Sequence, residues 1–104
     1  MNDCSIQNGA FAGNDNHPRF ALGVVVLTEG VGALQLERAA LVALLHRHQS
    51  GDWGLVCNED REVNEAALRD AARLMSVYDT SAGRVWLITE ADRSGTTVLL
   101  PEEY

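Results

Sequence analysis

VWLITEADRSGTTVLLPEEY, residues 85–104, reads as two apolar strands, Val85 to Thr89 and Thr97 to Leu100, joined by a tight polar connection. That connection gathers Glu90, Asp92, Arg93, Ser94, Thr96 and Thr97, and so many hydrogen-bonding groups between buried strands make it the first candidate site. Pro101 lacks the amide a further ladder bond needs and stops the second strand. Upstream, Met75 to Asp79 reads as one more strand, with a Thr80 to Gly83 turn whose glycine accepts a positive φ. Three strands in a row through short turns make an antiparallel meander.

Helices precede it. Leu41, Leu44, Leu45 and His48 recur at i, i+3, i+4 and i+7, the apolar stripe of a packed helix from about Glu37 to Gln49, with Gly51 placed to end it. A third helix is expected from Asn58, as cap, to about Leu74, with Val63, Ala66, Ala67, Ala71 and Leu74 facing inward. Arg61, Glu65, Arg69 and Arg73 follow one another every four residues on another face, which reads as a solvated row of ion pairs. A short helix from about Glu29 to Leu36 starts behind Thr28, whose hydroxyl can cap it. Before it, FALGVVVLT, residues 20–28, is nearly all apolar and β-branched, which predicts a central strand buried on both faces. Residues 1–18 are rich in Asn, Asp, Gly and Ser and read as a mobile tail, leaving one domain over 19–104. The fold class is therefore α+β: a two-layer sandwich of one N-terminal strand, two to three helices and a C-terminal antiparallel three-stranded meander.

A chain of 104 residues, 46% of them hydrophobic, can bury one core without metal or disulfide staples. Its apolar runs fall short of the roughly 20 residues that cross a bilayer, so no membrane partner is expected. The N-terminus has no basic start or apolar stretch of a secretory signal, which implies a cytoplasmic protein with Cys4 and Cys57 as thiols. A formal charge of -7 disfavours nucleic acid, whose phosphates are bound by clustered Lys and Arg. The same charge suits a protein partner with a basic surface.

The run ITEADRSGTTVLLPEEY, with HRHQSGDWG upstream, resembles a family of small bacterial plasmid-related proteins encoded on plasmids and other mobile elements. The resemblance covers about Phe20 to Tyr104. Relatives usually carry proline and glycine after the first strand's threonine, where this chain has Glu29 and Gly30. The resemblance implies genomic company rather than a chemistry.

Metal is not expected: His46 and His48 at i and i+2 point about 200° apart on a helix, and Cys57 stands alone. No glycine-rich or other cofactor signature is present, so no cofactor is expected. His48 reads as a helix-end histidine donating to a carbonyl or to Asp52, with a general base as the sharper reading. Trp53, between Gly51 and Gly54, reads as a core plug or a recognition residue, and Asp52 as a cap of its own turn. For Glu90, Asp92 and Arg93 two readings stay open. In one, Asp92 accepts backbone amides and Arg93 pairs with Glu90; in the other the group is an exposed recognition patch with Arg93 binding an anion. Thr96 belongs to the same cluster, and Tyr104 is expected to pack back on the sheet.

Two function classes follow. The first is a small acidic accessory protein of a mobile element, a protein-protein interaction module, either with a foreign partner or as a homodimer. The second is a small hydrolase or a toxin-type enzyme at the C-terminal hairpin, with His48, Asp92 and Arg93 as weak catalytic candidates. Strand, helices and terminal meander is also the order of the RelE and ParE class of toxins, a fold-level analogy. The acidic charge argues against RNA as substrate.

Overall fold

The computed structural model describes residues 17–104, so the expected tail lies almost wholly outside the described residues, as does Cys4. The order is β1 (Val24–Leu27), α1 (Glu29–Leu34), α2 (Arg38–Gln49), α3 (Asn58–Asp70), β2 (Leu74–Thr80), β3 (Gly83–Thr89) and β4 (Gly95–Leu99). A 3-10 turn, Pro101–Glu103, follows. The architecture is α+β, and β2, β3 and β4 form the expected meander.

The first strand is where expectation and structure part. The sheet order is β1-β4-β3-β2, with β1 parallel to β4, so the sheet is mixed. β1 is an edge strand and not a central one: Val24, Val25, Val26 and Leu27 are 69%, 40%, 50% and 41% exposed. Continuous apolarity predicted burial on both faces; the protein instead leaves both faces of a β-branched strand partly open. The opposite edge is covered. Leu55 donates its amide to Val77 O and Val77 donates to Trp53 O, so the loop after α2 pairs with β2. Gly54 permits this approach at φ +76, since a Cβ there would sit 2.0 Å from Val77 O.

The cross-strand register sorts the side chains. Leu74, Ser76, Tyr78, Val85, Leu87, Thr89, Thr96 and Val98 share the face toward the helices, and with Val31 and Leu44 most of its apolar members form the main core. Met75, Val77, Trp86, Ile88, Thr97, Leu99, Val24 and Val26 share the other face.

Helix boundaries differ in instructive ways. Thr28 caps α1, accepting from the Val31 amide at 3.2 Å. α3 begins at Asn58, but the residue preceding it, Cys57, holds the cap position with no side-chain bond. The helix stops at Asp70, because Ala71 turns left-handed at φ +55 and frees the next residues to enter β2 at Leu74. Its inner stripe is rotated from the expected one. Val63 is exposed and Asn64 is buried in its place, while Ala67 is buried as expected. The Asn64 amide group both donates to Met75 O and accepts from Met75 N, tying α3 to the start of β2. A polar residue at an inward position hid the true face from an apolar pattern.

Candidate functional site

Three arrangements contain the candidate residues: a sealed polar centre, a clamp at the hairpin, and an open sheet face. The polar centre is built around His48, which the last turn of α2 projects onto the sheet. It neither donates to a carbonyl nor reaches Asp52. Its Nδ1 lies 2.5 Å from Ser76 Oγ and its Nε2 2.9 Å from Thr89 Oγ1. Thr89 Oγ1 is 2.7 Å from Thr96 Oγ1, and Thr96 donates to Leu22 O at 2.8 Å.

Donor counting orients this chain. Leu22 O only accepts, so the Thr96 proton is committed to it and Thr96 must accept from Thr89. Thr89 then accepts from His48, which carries its proton on Nε2 and takes a bond at Nδ1 from the Ser76 hydroxyl. Every group is satisfied with a neutral imidazole. Burial, and secondarily the charge of Arg93, lowers the His48 pKa from 6.5 to about 3.

A serine oxygen beside an imidazole nitrogen is the contact of a nucleophile with its base. Here Ser76 and His48 are both 0% exposed, and the second imidazole nitrogen donates to a hydroxyl in place of a carboxylate. The arrangement joins α2, β2, β3, β4 and the segment before β1, which is architectural work. Each such bond contributes about 1 kcal/mol net, and breaking one leaves a buried hydroxyl that costs about 1–3 kcal/mol.

Phe20 packs over this centre and is the residue that the sequence reading passed over. Its ring lies 5.1 Å edge-on from His48 and 6.2 Å stacked from Trp53, with the Arg93 guanidinium 5.8 Å above it. His48, Trp53 and Arg93 therefore do meet, through Phe20, in a packed cluster. Trp53 is fully buried, as a core plug should be, and its indole donates to Glu65 at 3.0 Å. Glu65 also accepts both guanidinium nitrogens of Arg19, which hold its pKa below the usual range. The Arg61, Glu65, Arg69 row is thus more than a solvated face: its central carboxylate ties the N-terminal segment to the tryptophan loop.

The hairpin group resolves into a clamp. Arg93 does not pair with the Glu90 carboxylate. It donates to the carbonyls of Ala67, Ala72, Glu90 and Ala91, fastening the hairpin turn to the C-terminus of α3, where a cation complements the helix dipole. Its own φ of +61 is part of the turn. Asp92 accepts from the Ser94 amide at 3.0 Å, as expected, and that contact with Ser94 lowers its pKa. Glu90 faces the other way and pairs with Arg73 at 3.7 Å. Asp52 caps its turn by accepting from Gly54 N and also takes Arg47 at 2.7 Å. Tyr78 donates to Asp52 O, and burial raises its phenol pKa.

The third arrangement is the sheet face away from the helices. Trp86 and Met75 are half-buried there, Ile88 and Leu99 lie beneath, and Tyr104 packs its ring 5.1 Å from Trp86. An open concavity of about 270 Å³ is lined by Arg73, Ile88, Glu90, Thr97, Leu99, Glu103 and Tyr104. Glu103 is anchored: it accepts from Thr28, Leu100 N and Gly30 N, holding the 3-10 turn against α1 with a depressed pKa. Among the described residues no group of three His, Cys, Asp or Glu could hold a metal, and no helix is long and apolar enough to cross a membrane. No family model, curated protein or solved structure matches the chain.

Proposed function

We propose that this chain is a protein-binding module whose docking surface is the open face of the sheet. The observation that carries the reading is an inversion of the usual pattern. A solvated sheet face is normally polar, whereas this one presents Met75, Trp86, Val24 and Val26 over Ile88 and Leu99. An apolar patch with a charged rim is what recognition surfaces look like. The rim holds the Arg73–Glu90 and Arg84–Asp79 pairs and the exposed Glu102. With a chain charge of -7, the complementary partner is a protein that inserts one large apolar side chain between Lys or Arg residues. The resemblance to plasmid-related proteins adds that the module is an accessory of a mobile element working in the cytoplasm.

The enzyme reading, at the hairpin with His48, Asp92 and Arg93, has less behind it: Asp92 and Arg93 are engaged with backbone groups, and His48, with Ser76 beside it, is buried. Substrate would have to displace Phe20 and Trp53, which pack on the imidazole, to reach His48.

Selection from a displayed random-peptide library tests the proposal. The expected winners carry an aromatic or long aliphatic residue flanked by basic ones, and their binding is lost in Trp86→Glu while circular dichroism is unchanged. Winners that bind Trp86→Glu as tightly as the parent would sink the reading.

A further inference from the structure

We infer that β1 is the contact strand of a homodimer, in which two copies pair their free edges antiparallel and continue one sheet through eight strands. This goes beyond the docking reading, since it uses the sheet's edge and not its open face. The two edges of the sheet are treated differently: β2 is covered by the Trp53–Leu55 loop, while among the described residues nothing pairs with the outer side of β1. Natural sheets protect a free edge with charge, proline, a bulge or extreme shortness. VVVL has none of the first three, and its four side chains are 40–69% exposed.

Backbone direction fixes the pairing. Val24 N and Thr28 N donate inward to Ser94 O and Val98 O of the β4 segment. Because main-chain groups alternate sides along a strand, the amides and carbonyls of Val25 and Leu27 point outward. Antiparallel pairing with a two-fold axis at Val26 sets Val25 against the second copy's Leu27 with reciprocal hydrogen bonds at both ends. It also sets Val26 against its own symmetry mate in a close, non-hydrogen-bonded pair.

Charge selects a second copy over a basic partner. Phe20 to Thr28 carries no charge at all, so a basic segment would find nothing to neutralise it along this edge. A chain of charge -7 repels its copies nearly everywhere else. In the Val26-centred register Glu29 falls opposite Gly23 of the other copy, so the two acidic side chains lie at opposite ends of the contact.

Sedimentation equilibrium on the full chain at micromolar to millimolar concentration should show a reversible dimer. Val26→Lys, which sets two cations face to face on the axis, should raise the dissociation constant at least tenfold with unchanged circular dichroism. In a Cys4→Ser, Cys57→Ser background, Val26→Cys should cross-link on mild oxidation much faster than Val24→Cys. Amide exchange identifies any other occupant. A monomer with Val25 and Leu27 protected would mean that the chain covers its own edge, and a monomer with both exposed would mean that the edge is free. Either monomer overturns the proposal, and both leave the peptide-binding result on the open face intact.

Discussion

The two faces of one sheet each depart from the ordinary distribution of polarity: the inner one sets a polar cluster beside its apolar core, and the outer one leaves apolar side chains open. Toward the helices lie Ser76, Thr89 and Thr96 around His48, all buried; away from them lie Met75, Trp86, Val24 and Val26, partly exposed. Each face is stable for a different reason. The inner polar groups are tolerated because every donor finds an acceptor in one directional chain, so removing any link exposes the full desolvation cost. The outer apolar groups are tolerated because Trp86 and Tyr104 shelter Ile88 and Leu99, and they gain most when something covers them. Mutations inside should therefore read out as stability and mutations outside as binding.

The largest break of that contrast is His48→Leu, which leaves Ser76 and Thr89 without their partner and should cost about 3 kcal/mol in urea unfolding. A loss much under 1 kcal/mol would show that the centre is slack. Next comes pH. His48 stays neutral in the folded protein down to about 3 but protonates at its ordinary 6.5 when unfolded. Below 6.5 the unfolded chain binds a proton that the folded chain refuses. Stability should then be full above 6.5 and fall as pH drops toward 3 by about 1.4 kcal/mol per unit. His48→Leu should flatten the upper part of this slope, above the carboxylate range, in the same denaturation series.

Thr89→Val is a smaller test. It removes the link between imidazole and Thr96 with little change of volume and should cost about 1–2 kcal/mol, measured against Thr97→Val on the other face, which should be near neutral. Last is Trp86→Glu, which takes away half-buried packing against Tyr104 and is expected to cost no more than about 1–2 kcal/mol while removing ligand binding. If it instead unfolds the protein, the open face is core and the contrast fails.

The meander and α2 were legible because their patterns are local: turn residues between β-branched runs, and a stripe of Leu41, Leu44, Leu45 and His48. The cap by Thr28 and the Asp92 turn were readable for the same reason. β1 was not, because apolarity alone cannot distinguish a strand buried on both faces from an exposed one awaiting cover. The α3 face was misread because its inward residue is Asn64, whose amide is matched by the backbone of Met75. The partners of His48 come from β2 and β3, 28 and 41 residues away, beyond what spacing conveys. Arg93 reads as an ion-pair partner because Glu90 is near in sequence, yet the fold brings its guanidinium to the Ala67 and Ala72 carbonyls at the end of α3, 26 and 21 residues away. Phe20 seemed part of a strand, and only the fold brings it over His48.

The central claim, that recognition belongs to the uncovered face and architecture to the sealed one, is tested most directly by NMR shift mapping with a selected peptide. The account predicts perturbations concentrated on Trp86, Ile88, Thr97, Leu99 and Tyr104, with the His48, Ser76 and Thr89 signals unmoved. Shifts centred on His48 and Ser76, with Trp86 silent, would contradict it.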